Sequence, residues 1–164
     1  MRWSKLKQRL ESNFAGSLRG RVALHQTRYR ECHDQEGEFW ITLDGARVLS
    51  ISSMTALNAL GKARVELQET GMSVEGAVSH ALDALDRRGI FLLEQVVQQL
   101  TAYLNLSIDE IMTSSSPIVR ALGLLDRRFG QRRLQRFDPS AEHEIVALMH
   151  KLRCQAEGVA LQSA

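Results

Sequence analysis

The sequence predicts an α+β fold: an N-terminal helix, a three-stranded antiparallel meander, then a C-terminal layer of about five helices. Three observations carry this reading. Apolar residues recur at spacings of three and four near the start, and again from about residue 52 onward. Between these stretches, residues 21–51 are rich in Val, Thr and aromatics and alternate apolar with polar. Asp44-Gly45 then stands between two such alternating runs, and a type I′ hairpin turn needs the positive φ those residues tolerate.

The first helix covers residues 4–15, with Trp3, Leu6, Leu10 and Phe14 on one stripe. Gly16 and Gly20 bracket its exit. Residues 21–30 form the first strand, 31–37 a polar loop, 38–43 the second strand and 46–51 the third. With Asp44-Gly45 in the turn, Leu43 opposes Ala46, Ile41 opposes Val48 and Trp40 opposes Leu49. Phe39, Ile41, Leu43, Ala46 and Val48 then line the core face. Trp40 points to the other face, with Thr42, Arg47, Leu49 and Ile51. A large aromatic there must be covered by the fold or serve a partner; we expect a helix to cover it. Pairing Arg30 with Glu38 sets Arg28 opposite Trp40 and sends His25, Thr27 and Tyr29 to the core, whereas a one-residue slip reverses those faces.

Ser52 or Ser53 caps a helix running to Glu69, stopped by Gly71. Ser73 caps the next, which ends at Arg87-Arg88-Gly89. Residues 90–104 carry a wide apolar arc and read as the central helix. Ser107-Ile108-Asp109-Glu110 is a capping box. Pro117 sits in the first turn of a further helix ending near 126–130. Asp138-Pro139 starts the last, which buries Ile145, Leu148, Met149 and Leu152. On this reading residues 1–158 are a single domain and 159–164 a frayed tail.

The chain has 164 residues, and its net charge of +2 conceals segregation. Residues 1–30 carry net +7, residues 31–110 net −8, and residues 111–164 net +3. Such blocks steer charged partners, or neutralise one another in the fold. No run approaches the ~20 apolar residues of a membrane span. Met1-Arg2-Trp3-Ser4-Lys5 leads into a charged amphipathic stretch, unlike a secretory signal. Cys32 and Cys154 are too few for a disulfide framework. The expectation is a cytoplasmic protein with free thiols and no membrane partner.

Candidate binding residues fall in three places. Arg28, Tyr29, Arg30, His33 and Asp34 form the densest functional-looking stretch, with cations, a phenol, an imidazole and a carboxylate. Tyr29, His33 and Asp34 make an enzyme of the protein only if they converge in a pocket. Trp40 with Arg47 could stack and bind a single-stranded nucleic acid. Arg127, Arg128, Arg132 and Arg133, in a run of five arginines over ten residues, suit phosphates, a protein interface, or the chain's own acidic middle. On the last helix, His143, His150 and Cys154 share a stripe that reads as solvated; no spaced zinc signature accompanies it. A GxSxG elbow, a phosphate loop, a dinucleotide fingerprint and an HExxH helix are absent, and no cofactor is implied.

Three stretches carry a resemblance: Trp3-Ser4-Lys5-Leu6-Lys7, the Gly20-Arg21-Val22 to His33-Asp34 region with the Asp44-Gly45 turn, and Leu125-Asp126-Arg127-Arg128-Phe129-Gly130. Together they resemble an uncharacterised family of small bacterial cytoplasmic proteins. That resemblance implies a bacterial cytoplasmic origin and transfers no catalytic or binding residue. The functional expectation is a non-catalytic protein-binding module, of an immunity or adaptor kind, with an unidentified protein partner. The alternative is nucleic-acid binding through the basic N-terminal third and residues 127–136.

Overall fold

The computed structural model describes residues 1–29 and 36–160. Helix α1 (Trp3–Ser12) leads into a three-stranded antiparallel sheet of β1 (Val22–Arg28), β2 (Gly37–Leu43) and β3 (Ala46–Ser52), in the order β1-β2-β3. Seven helices follow: α2 (Ser53–Glu69), α3 (Val74–Arg87), α4 (Leu93–Tyr103), α5 (Ile108–Met112), α6 (Pro117–Leu125), α7 (Gln131–Arg136) and α8 (Glu144–Glu157). The α+β class and the order of layers are those the sequence predicts.

Turn and cap chemistry set most boundaries. Asp44 and Gly45 adopt φ of 50° and 85°, and Leu43 pairs with Ala46 across them. Ser73 Oγ accepts the Gly76 N–H. Ser107 and Glu110 close a reciprocal capping box. Ser53 is used differently from expectation: its buried hydroxyl accepts the Leu93 N–H at 3.0 Å, tying the start of α2 to the start of α4. The last helix begins later than expected, with His143 as its N-cap and its Nδ1 accepting the Ile145 N–H at 3.2 Å.

Both sheet registers differ from expectation beyond the hairpin turn. A bulge between Ile41 and Thr42 makes Val48 the extra residue, so Ile41 opposes Leu49, and Trp40 opposes Ser50 rather than Leu49. The bulge turns Leu49 and Ile51 to the core face, where Ile51 is buried. In β1, Arg28 opposes Gly37 and His25 opposes Trp40. Val22 and Leu24 thereby face the core, and His25 and Thr27 face outward. Apolar burial explains the choice, since the expected register would bury His25 and Thr27 instead. The outer edge of β1 is closed by α1, whose Glu11 carboxylate accepts the Leu24 N–H at 2.8 Å.

The inner face (Val22, Leu24, Phe39, Ile41, Ile51) packs in one core with Leu6 and Leu10 of α1 and Leu93, Val96 and Leu100 of α4. Trp3 meets Phe39 edge to face at 6.2 Å. The central helix is α6, not α4: every α6 residue except Arg120 is buried. A helix apolar almost all round has to lie inside the fold.

Candidate functional site

Trp40, on the central strand, is half-buried, and its ring partners among the described residues come from the two flanking strands and from no helix. The His25 ring lies parallel to it at 5.2 Å, 5° from coplanar. The Arg47 guanidinium sits over the indole, Cζ 4.3 Å from the centroid. Arg47 Nη1 also donates to Glu38 Oε1 at 2.6 Å, and Ser50 Oγ donates to the same oxygen at 2.5 Å. His25 Nε2 lies 2.9 Å from Thr42 Oγ1. Burial, then the Lys7 and Arg47 cations, push the His25 pKa below its usual value, with Glu11 opposing. The arrangement staples three strands together through one indole. His25 and Arg47 both engage the indole, which leaves less of it open to stack a base than a bare ring would.

The first candidate stretch is split. Arg28 lies exposed at the end of β1, opposite Gly37 instead of Trp40. Tyr29 is exposed, and its N–H donates to the Glu36 carbonyl at 2.8 Å. Arg30, His33 and Asp34 lie outside the described residues.

The arginine run divides between structure and surface. Asp126 is fully buried after α6 and bridges to Phe14 in an antiparallel pair. Its carboxylate accepts the Tyr103 hydroxyl at 2.5 Å, the Arg128 N–H at 2.8 Å, and the Arg128 Nε and Nη2 at 3.0 and 2.8 Å. Arg128 Nη1 reaches the Leu106 carbonyl. Burial and the adjoining carboxylate hold the Tyr103 phenol far above its usual pKa, so it serves as a permanent donor. Arg153 is buried beside this knot. It donates to the carbonyls of Leu124, Asp126 and Phe129 and pairs with Glu157 at 2.7 Å. Arg133 pairs with Asp109 at the surface, 2.7 Å.

Arg127, Arg132 and Arg136 are exposed and have no side-chain partner among the described residues. Arg132 and Arg136 stand one turn apart on α7, on the side away from its buried Leu134. Arg127 rims a shallow cleft of about 460 Å³, also lined by Gly16, Gly130, Gln131, Arg153 and Glu157. Of the N-terminal basic residues, Lys7 and Arg21 are paired with Glu11 and Asp44, and Arg47 of the following segment is paired with Glu38.

A further surface escaped the sequence reading. Helices α2 and α3 form an antiparallel hairpin in which α3 packs chiefly on α2. In α2 only Ser53 and Ala56, at its start, are buried. Six large apolar residues are exposed among the described residues, and four belong to this hairpin: Met54 (45%), Val65 (50%), Met72 (37%) and Val74 (54%). Met72 and Val74 flank the Gly71 turn at its tip, and Val65 lies in the helix leading into it, with exposed Arg64, Glu66, Glu69 and Glu75 alongside. The signal in the sequence was Val65 between Arg64 and Glu66, an apolar residue on the polar side of the helix.

Of the stripe expected to be solvated on the last helix, His150 and Cys154 are buried. His150 Nε2 lies 3.1 Å from the Leu134 carbonyl and 3.4 Å from Cys154 Sγ. His143 sits apart from them as the α8 cap. Among the described residues no three His, Cys, Asp or Glu side chains converge as metal ligands, and none of their helices is long and apolar enough to cross a membrane.

No curated protein and no solved structure matches the chain. A family model does match, over residues 2–154, which take in all three stretches that carried the resemblance. Trp3 packs on the sheet, Asp44-Gly45 makes the hairpin turn, and Leu125 to Gly130 holds the buried knot, so within the fold these motifs are architectural. On that match the chain belongs to the SF0329 protein family.

Proposed function

We propose that this protein is a non-catalytic protein-binding module, of an adaptor or immunity kind, acting in a bacterial cytoplasm. The observation that supports it is the α2–α3 hairpin, whose outer half presents Val65, Met72 and Val74 to solvent among Arg64, Glu66, Glu69 and Glu75, a charged surround with an acidic excess. Exposed apolar residues ringed by charge mark interaction sites. Glu66, Glu69 and Glu75 have no side-chain partner among the described residues, so the fitting partner is a protein surface with apolar anchors and a basic rim. The free, buried thiol of Cys154 accords with a reducing compartment.

The test is photo-crosslinking. A photoreactive residue at Val65 or Val74 should trap one protein that the same residue at Gln155 does not. With that protein purified, V65D/V74D should weaken binding at least tenfold while leaving the melting temperature within about 2 °C, because both residues are exposed. Unchanged affinity, or trapping at Gln155 equal to that at Val65, would remove the reading.

A further inference from the structure

We infer that the face formed by α7 and the C-terminal end of α1 binds the phosphodiester backbone of a nucleic acid, independent of base sequence. The Arg127 N–H donates to the Asn13 carbonyl at 2.9 Å. Arg19 reaches the same corner, with Nε donating to the Phe14 carbonyl and Nη2 to the Ser12 carbonyl. Arg9 is exposed in the last turn of α1, one helical turn before Asn13. Gly130 and Gln131, which open α7, share the cleft with Gly16 and Arg127. Arg9, Arg19 and Arg127 therefore share one corner, and α7, which carries Arg132 and Arg136, opens at the same cleft.

The acids in this region are largely committed elsewhere. Asp126 is buried under Arg128, Glu157 is held by Arg153 and Ser17, and Asp109 is paired with Arg133. Asp138 accepts the Ser140 N–H, which keeps it ionised at the far end of α7. The local field is positive.

The ligand class follows from what accompanies the cations. A protein interface needs apolar anchors, and here they are withheld: Leu134 and Phe129 are buried, and Phe137 is half-buried against Phe129. Phosphate contacts require cations and N–H donors without an apolar core, and arginine meets phosphate oxygens bidentately. The Trp40 ring is already engaged by His25 and Arg47, and no exposed aromatic accompanies the arginines of this face among the described residues, which favours backbone contact as the mode.

The experiment is fluorescence anisotropy with fluorescein-labelled 20-nucleotide oligouridylate and oligothymidylate, titrated between 50 and 200 mM salt. Five cations on a single strand predict a log K against log salt slope of about −3.5, a loss of roughly a hundredfold over that range. R127A/R132A/R136A should flatten the slope by about 2 and keep the wild-type circular dichroism and melting temperature. The hairpin variant V65D/V74D should bind as wild type, which separates this inference from the proposed protein-docking role. RNA bound more tightly than DNA would assign the source as RNA, and equal binding would leave the phosphodiester as the recognised group. No binding at 50 mM salt, an unchanged slope in the folded triple variant, or equal binding of labelled polyglutamate would each overturn the inference.

Discussion

Removing the Tyr103 hydroxyl should cost more than a typical hydrogen bond, because its acceptor is a buried charge. Tyr103 is 1% exposed and donates at 2.5 Å to Asp126, which is fully buried. A hydrogen bond to a charged group contributes about 1.5–3 kcal/mol. The Asp126 carboxylate keeps three Arg128 donors in Y103F, so its charge remains compensated and the cost stays near 2 kcal/mol. At about 2–4 °C per kcal/mol for a chain of this size, the melting temperature should fall by roughly 4–8 °C. D126A is a larger perturbation, since it strands both Tyr103 and Arg128. Breaking a buried pair costs about 3–5 kcal/mol, and the lower end applies because Arg128 can partly rehydrate. Urea denaturation measures both variants, with midpoints shifted and m-values unchanged. The cycle Y103F, D126N and Y103F/D126N should show a coupling of about 1 kcal/mol or more. A Y103F cost below about 0.5 kcal/mol, or an additive cycle, would refute the account of this knot.

Three further outcomes follow from particular contacts. G89A should destabilise by about 2 kcal/mol or more, because Gly89 has φ of 72° and a Cβ there would come within 2.5 Å of His143 Cε1; G89A/H143A should recover only the steric part. His25 should titrate by NMR below about 6.5, its ordinary value. Its folded pKa is depressed, so its contribution to stability is present above that value and is lost as pH falls through the folded pKa. K7A should raise the midpoint more than R47A, and a wild-type midpoint at or above the ordinary value would contradict the burial argument. E11A should speed amide exchange at Leu24 more than at Val22, since Glu11 alone closes that point of the β1 edge; equal protection in variant and wild type would show the edge to be closed otherwise.

Local chemistry was legible in the sequence, and pairing across distance was not. Asp44-Gly45, Ser73, Ser107 with Glu110, and Pro117 each act within four residues, and each does what its residue type predicts. The β1 register was missed because no tight turn pins it, so burial of Val22 and Leu24 against the core decides it. The bulge at Val48 was invisible for a related reason: it exists to return Leu49 and Ile51 to the core face, a tertiary demand. Helix α7 was missed because six residues with one apolar side chain, Leu134, give no periodicity. The candidate site fared the same way. Trp40 and Arg47 do meet, yet their third partner, His25, depended on the missed register.

The five arginines of residues 127–136 show how one basic run serves two purposes. Asp126 is extended and paired with Phe14, so its side chain turns inward and the next residue, Arg127, turns out. Arg128 folds back onto the Asp126 carboxylate it must neutralise, since a buried carboxylate without a cation would be prohibitively costly. In α7 the buried Leu134 fixes the helix phase, which leaves Arg132 and Arg136 on the far side and Arg133 within reach of Asp109. Position relative to Asp126 and Leu134 therefore assigns each arginine its role, where composition alone could not. Substituting Arg128 reports on the integrity of the fold, whereas substituting Arg132 or Arg136 leaves the fold intact and reports on what the surface binds.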